Sequence, residues 1–300
     1  MIEDTKKKFV GRDRYIRVIS RNGFFRAVAV KNTVTAQQAQ KSHNLNEINA
    51  YYLAKTLTAA AMVSAFLKGE ERVVVDVTGN GAISKLYAEA LQVGECRGFV
   101  RSNPDFNREI EKMEDVIGDG YLTVSRILYG RTEPVSGIVP IQNGDIASDL
   151  AYYFVQSEQV NSAVILDASF DNNNIIACSG GIVVQAMPGA LQEEIDAVVT
   201  AITEIEDICS EIESHLTLEE LLKEHLPFDF DVIKNRQLDF FCRCNLSNYK
   251  HNLLMLPIKE VEEMQKDKQN ELVCQFCNKH YYLSDEDFKE MLDEMYARNN

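Results

Sequence analysis

The sequence predicts an α+β protein in three parts. A mixed α/β N-terminal domain covers residues 1–186, a helical linker 187–231, and a small C-terminal domain 232–300. Three observations point there. Strand candidates in the first part are joined by tight turns and interrupted by few helices, which favours α+β over a doubly wound sheet. After "MPG" (187–189) apolar residues recur every three or four positions on a strongly acidic background. Beyond it, four of the chain's seven cysteines stand in two tight pairs, Cys242/Cys244 and Cys274/Cys277.

"RYIRVIS" and "FFRAVAV" flank Asn22-Gly23, a hairpin signal because both turn positions favour positive φ. "NLNEINAYYLAKTLTAAAMVSAFLKG" has the start and stop signals of a helix: Asn44, Glu47 three residues on, and Gly69 at the end. Its alanine-rich, apolar body predicts burial. "RVVVDVT" and "ISKLYAEA" flank "GNGA", a second hairpin. "YLTVSRILY", "SAVILDAS" and "IIACSGGIVVQ" read as further strands, the last two separated by the turn Asn172-Asn173-Asn174. "SDLAYYFVQSEQ" reads as a short helix from Ser148.

In the linker, "ALQEEIDAVVTAITEIEDICSEIESHL" predicts one amphipathic helix over 189–216, with Ile202, Ile205, Ile208 and Ile212 on its apolar face. "TLEELLKEHLP" predicts a second helix, opened by a Thr217/Glu220 capping box and closed by Pro227.

Hydrophobic residues make up 45% of the chain, enough for a substantial core. The longest apolar stretch, "AAAMVSAFL", is about half the ~18 residues that span a bilayer, so no membrane role is expected. "MIEDTKKKFVGRDR" lacks the apolar segment of a secretory signal. A cytoplasmic protein is the expectation. The formal net charge of −15 argues against nucleic acid, which needs a basic footprint. Residues 1–31 carry nine Lys/Arg against three acids and could form a local basic patch, though solvated side chains explain them more simply. Residues 189–231 carry thirteen acids against one base, Lys223.

In a reducing compartment, paired cysteines point to metal ligands or redox thiols before structural disulfides. The pattern C-x-C-x29-C-x2-C supplies two thiolates from each pair, the layout of a tetrahedral zinc site. His251 and His280 lie nearby, but no spacing requires them as ligands. The C-x-C pair is tighter than the usual C-x2-4-C, and a disulfide within it would depart from relaxed geometry. Strained disulfides tend to be the labile ones, so the spacing suits a site opened by oxidation and rebuilt by reduction. Cys96, Cys178 and Cys209 sit in apolar surroundings and read as core residues. "GNG" at 79–81 lacks the third glycine of a dinucleotide fingerprint and reads as a turn. No P-loop, H-E-x-x-H or G-x-S-x-G occurs, and no enzymatic activity is expected.

The paired cysteines, with "RGFVRSNP" (97–104), "GDIASDLAYYFVQSEQV" (144–160) and "SGGIVVQAMPGALQEE" (179–194), resemble the redox-regulated 33-kDa heat-shock chaperones, the 33-kDa chaperonin family. The resemblance runs from "YIRVISRNGFFRAVAV" to "CQFCNKHYYLSDED". It implies an ATP-independent holdase for unfolding client proteins, inactive when reduced with one Zn(2+) per chain. By position, Cys242, Cys244, Cys274 and Cys277 would be the zinc ligands. On oxidation Cys242 would pair with Cys244, and Cys274 with Cys277, with release of zinc. It also implies an α/β domain, a helical linker and a C-terminal zinc domain. Homodimerisation on activation stays open. The chain departs from the family at "LAK" (53–55), where a Leu-Gly-Arg-like element is expected, and at "NLSNYKHNLLMLPIKE", which lacks an Arg-rich start and carries Pro257.

From the residues alone, a domain this small has a marginal core, and a structural zinc would supply much of its folding energy. The apolar face of 189–216 needs cover in the resting state, from the zinc domain or the N-terminal domain. Two other readings stay open: an RNA-binding zinc module and a thiol oxidoreductase. Ten Lys/Arg against twelve Asp/Glu in 232–300 disfavour the first.

Overall fold

The computed structural model describes residues 12–131 and 133–298. The part of the basic N-terminal stretch in residues 1–11, and with it the test for a leader, lies outside them. The chain divides into two compact units, Met1–Phe241 and Cys242–Asn300.

The first unit holds two sheets. The five-stranded sheet has the order β10-β1-β2-β9-β8, all antiparallel, from β1 (Arg14–Ser20), β2 (Phe25–Lys31), β8 (Ser162–Phe170), β9 (Ile176–Ala186) and β10 (Phe230–Gln237). The six-stranded sheet has the order β11-β5-β4-β3-β6-β7, from β3 (Arg72–Gly79), β4 (Ile83–Leu91), β5 (Glu95–Ser102), β6 (Gly120–Ile127), β7 (Val135–Pro140) and β11 (Asp239–Phe240). Only the short β11 runs parallel to its neighbour. Both predicted hairpins form, β1–β2 and β3–β4. The compact boundary falls after Phe241, later than the 231/232 boundary read from sequence, because β10 and β11 join the sheets of the first unit.

Helix α2 (Glu47–Ser64) packs against strands of both sheets, and its residues belong to a core that draws on both. This explains its composition: a helix covered on all sides has no polar face to show, and alanines let sheets approach. Its N-cap is Asn46, whose side chain accepts from Asn49 N, and not Asn44. Asn44 instead ends a preceding helix, α1 (Thr33–His43), in the left-handed conformation at φ 48°. Nothing in the sequence marks α1, since "TVTAQQAQKSH" has no apolar period. Its start is held by a distant residue: the Asp13 carboxylate accepts from Val34 N (3.1 Å) and Thr35 N (2.6 Å). A single turn, α3 (Glu114–Ile117), lies beside the β3–β4 turn, and α4 (Ile146–Gln156) starts at the Asp145 cap, three residues before Ser148.

The period-2 alternation of the five-stranded sheet gives it two buried faces. Tyr15, Val28, Val30 and Val183 join the core shared with α2. Ile16, Ala27, Ala29, Ile182 and Val184 turn the other way and meet the linker.

The linker is three helices, not two: α5 (Gln192–Thr203), α6 (Ile208–Ser214) and α7 (Leu218–His225). The predicted continuous helix breaks at 204–207. Asp207 accepts from Cys209 N (2.9 Å) and Ser210 N (3.1 Å) and so starts a new helix. The apolar spacing survives the break because both pieces rest on the same sheet face. The Thr217/Glu220 capping box of α7 forms as predicted.

The second unit contains α8 (Leu246–Leu253), α9 (Ile258–Lys266), the hairpin β12 (Glu271–Val273)–β13 (His280–Tyr282) and α10 (Asp285–Arg298). Its core is Val261, Leu283, Phe288, Met291 and Met295. Among the described residues, no helix is long and apolar enough to cross a membrane.

Candidate metal centre

Cys274 and Cys277 sit in the turn joining β12 to β13. The turn is closed by backbone bonds from Cys274 N to Lys279 O (3.0 Å) and Asn278 N to Cys274 O (2.8 Å), with Asn278 left-handed at φ 54°. This fold-back points both sulfurs to one side. Cys242 and Cys244 arrive on the extended stretch before α8, whose Asn245 cap accepts from Asn248 N (2.8 Å). An extended C-x-C puts its two side chains two positions apart on one face. The Sγ atoms of Cys242 and Cys274 lie 3.6 Å apart, and those of Cys244 and Cys277 3.4 Å. All four lie within 4.8 Å of one another and could hold one metal ion.

The surroundings favour the thiolate at Cys274 alone. Burial alone would raise Cys274, but hydrogen bonds from the Tyr249 hydroxyl and from the Phe276 and Cys277 amides hold its thiol down at about 6. Burial, and then the neighbouring sulfurs, push Cys277 up. The Tyr281 hydroxyl donates to Cys244 O (2.8 Å) and reaches Cys244 Sγ (3.3 Å). Neither tyrosine is legible from sequence, since nothing in the spacing of Tyr249 or Tyr281 marks it.

His251 is exposed on α8, and His280 Nδ1 pairs with Glu271 Oε1 at 2.7 Å; neither joins the four sulfurs. Cys96, Cys178 and Cys209 are buried, and none of the seven cysteines is in a disulfide. Ile202, Ile205, Ile208 and Ile212 are all buried in one cluster with the five-stranded sheet. The cover for that stripe is thus the N-terminal sheet. The approach is close: a Cβ on Gly180 of β9 would sit 2.5 Å from Ile212 Cδ1.

Similarity to known proteins extends over nearly the whole chain. The "33 kDa chaperonin" of Bacillus velezensis is 34% identical over 289 residues, which are 94% of this chain and 99% of that one. The protein of the same name from Streptococcus thermophilus is 32% identical, covering 94% of this chain and all of its own. The crystal structure of the 33 kDa chaperonin (Heat shock protein 33 homolog) from Thermotoga maritima superposes with a TM-score of 0.85 at 28% identity, over 96% of this chain and 99% of that one. The family model described as Hsp33 protein matches residues 13–284. That span contains both sheets, the linker helices and all four clustered thiols, so the chain belongs to the Hsp33 family.

Proposed function

We propose that the chain is a redox-regulated, ATP-independent holdase that acts on unfolding client proteins in the cytoplasm, without enzymatic turnover. The observation that carries this is the convergence of four sulfurs within 4.8 Å on a unit with a small core.

Cys242, Cys244, Cys274 and Cys277 would hold one Zn(2+) in the reduced chain. A tetrahedral zinc with bonds of ~2.3 Å needs sulfur–sulfur edges of ~3.8 Å, and separations of 3.4 and 3.6 Å support that fit. Bound zinc would supply folding energy and keep the thiols deprotonated. With five buried apolar side chains and a rim of partly buried ones, the second unit has a small core to fold it.

Cys242 pairs with Cys244, and Cys274 with Cys277. In each step two thiolates lose two electrons, a sulfur–sulfur bond forms, and a peroxide takes the two electrons with two protons from solvent to give two waters. The donor set is then gone, and the second unit opens. Val261, Leu283, Phe288, Met291 and Met295 become exposed apolar surface for clients. The linker stripe of Ile202, Ile205, Ile208 and Ile212 is the second reserve of such surface, with acids around it to keep the open form soluble.

The test counts zinc and free thiols before and after peroxide and follows aggregation of a heat-unfolded client in parallel. The expected course is loss of one zinc and four thiols, together with suppression of aggregation. Full suppression by the reduced, zinc-loaded chain would refute the reading. Catalytic reduction of insulin would instead mark a thiol oxidoreductase.

A further inference from the structure

The linker carries a second group of metal-type donors. Glu211 lies in α6, and His215 follows its last residue. Glu224 and His225 lie at the end of α7. One oxygen each from Glu211 and Glu224 and one ring nitrogen of His225 lie within 4.8 Å of one another. His225 Nε2 is 3.0 Å from Glu211 Oε2, and His215 Nε2 is 2.8 Å from Glu224 Oε2.

The His215 ring shows what this arrangement lacks. Its Nδ1 lies 2.8 Å from the Glu211 carbonyl oxygen, which can only accept, so Nδ1 carries the hydrogen. In the neutral ring Nε2 then presents a lone pair, yet it faces a carboxylate oxygen at 2.8 Å. Two acceptors that close need a positive charge to hold them, either a proton on Nε2 or a metal ion. A histidine that donates one N–H to a backbone carbonyl and turns the other nitrogen to a cluster is oriented as metal-ligating histidines usually are.

Two carboxylates and two neutral imidazoles sum to the charge that a dication cancels. Nitrogen and oxygen donors in this mixture suit borderline ions such as Zn(2+) or Ni(2+). Bonds of ~2.0–2.2 Å imply donor separations near ~3.4 Å, so the His225–Glu211 pair at 3.0 Å would spread slightly while the other pairs, within 4.8 Å, would draw in. The one basic residue of 189–231, Lys223, is engaged with Glu219 at 2.7 Å and does not compete.

We propose that Glu211, Glu224 and His225 form a second divalent-metal site in the linker, distinct from the four thiols, with His215, which lies outside that 4.8 Å group, joined to it through Glu224. The ion would clasp the end of α6 to the end of α7 and stiffen the segment between them. This does not rest on the chaperone reading, because the ion is counted directly.

The full-length reduced chain, with zinc on its four thiols, is equilibrated with buffered Zn(2+) and its zinc counted. The wild type is expected to hold two ions per chain, and His225→Ala one. Glu224→Gln, at a side chain 64% exposed and so safe for folding, is expected to bind the second ion at least about tenfold more weakly. Ni(2+) titrated into the zinc-loaded chain should show the same ranking by calorimetry. A single zinc in the wild type, or a second one indifferent to both substitutions, would overturn the site and leave a proton as the bridge.

Discussion

Lys55 is 4% exposed, in the middle of an otherwise alanine-rich helix. It stands at the "LAK" position where the family resemblance suggested Leu-Gly-Arg. Its Nζ meets Asp145 Oδ1 at 2.5 Å, Tyr51 Oη at 3.2 Å and Asp167 Oδ1 at 4.0 Å. Asp145 is also the cap of α4, so one ion pair ties α2 to the start of α4. Burial would raise the Asp145 carboxyl, but Lys55 and the Ser148 bonds bring it below the ordinary range. Lys55→Met should cost about 3–5 kcal/mol at neutral pH by leaving that carboxylate without its cation. The sign follows from the lowered value: the contribution is present above the unfolded carboxylate range and lost as pH falls through the folded one. The gap in Tm between wild type and Lys55→Met should therefore narrow as pH drops below about 4. A gap that stays constant would mean that packing, not charge, sets the cost. The cysteines offer a second contrast. Cys274→Ser should lose zinc, because a hydroxyl is a poor ligand for it, while Cys178→Ser, buried in the other unit, should keep it. The four thiols were legible because sequence spacing alone pairs them. The Glu211–His225 cluster was not, because its donors come from two helices joined by a turn whose course no spacing rule gives.

Elements were legible where their signal was local. Hairpins at Asn22-Gly23 and the capping box at Thr217 lie within a few residues of their cause. Helix α1 was illegible because its cap is Asp13, 21 and 22 residues upstream of the two amides it caps. The linker break was hidden for the opposite reason: apolar spacing continued through it, and only the Asp207 cap marks the new start. That cap makes a prediction. Asp207→Ala should cost about 1 kcal/mol and fray α6 first, seen as faster amide exchange at Cys209 and Ser210. Ile208, 1% exposed against the sheet, is the sharper probe of the linker. Ile208→Asp places an unpaired charge where burial was worth about 1.5–3 kcal/mol. The reduced variant should keep its zinc, become protease-sensitive between 187 and 231, and suppress aggregation in part. Glu206→Lys, at an exposed position, is the matched control and should stay quiescent. If Ile208→Asp resists protease and stays inactive when reduced, the linker stripe is not a client surface.

At the scale of the whole molecule, the two units differ in what holds them. The first has a core of many fully buried side chains spread over two sheets and a central helix. The second relies on five buried apolar residues and four sulfurs. A structural zinc in small domains is worth roughly 10–16 kcal/mol of apparent binding energy, more than so small a core nets. Removing the metal without oxidation separates the two contributions. Chelation in reducing buffer should unfold residues 242–298 while leaving the first unit intact. Proteolysis should then cut within 242–298, and a stable fragment ending near Phe241 should persist with its melting transition unchanged. Aggregation assays on the same sample decide what the disulfides add. Activity in the chelated, reduced chain would mean that opening the second unit is sufficient and the disulfides only keep it open. Inactivity, with the second unit demonstrably unfolded, would place the client surface in the linker, since Ile202, Ile205, Ile208 and Ile212 remain packed on a sheet that chelation does not touch.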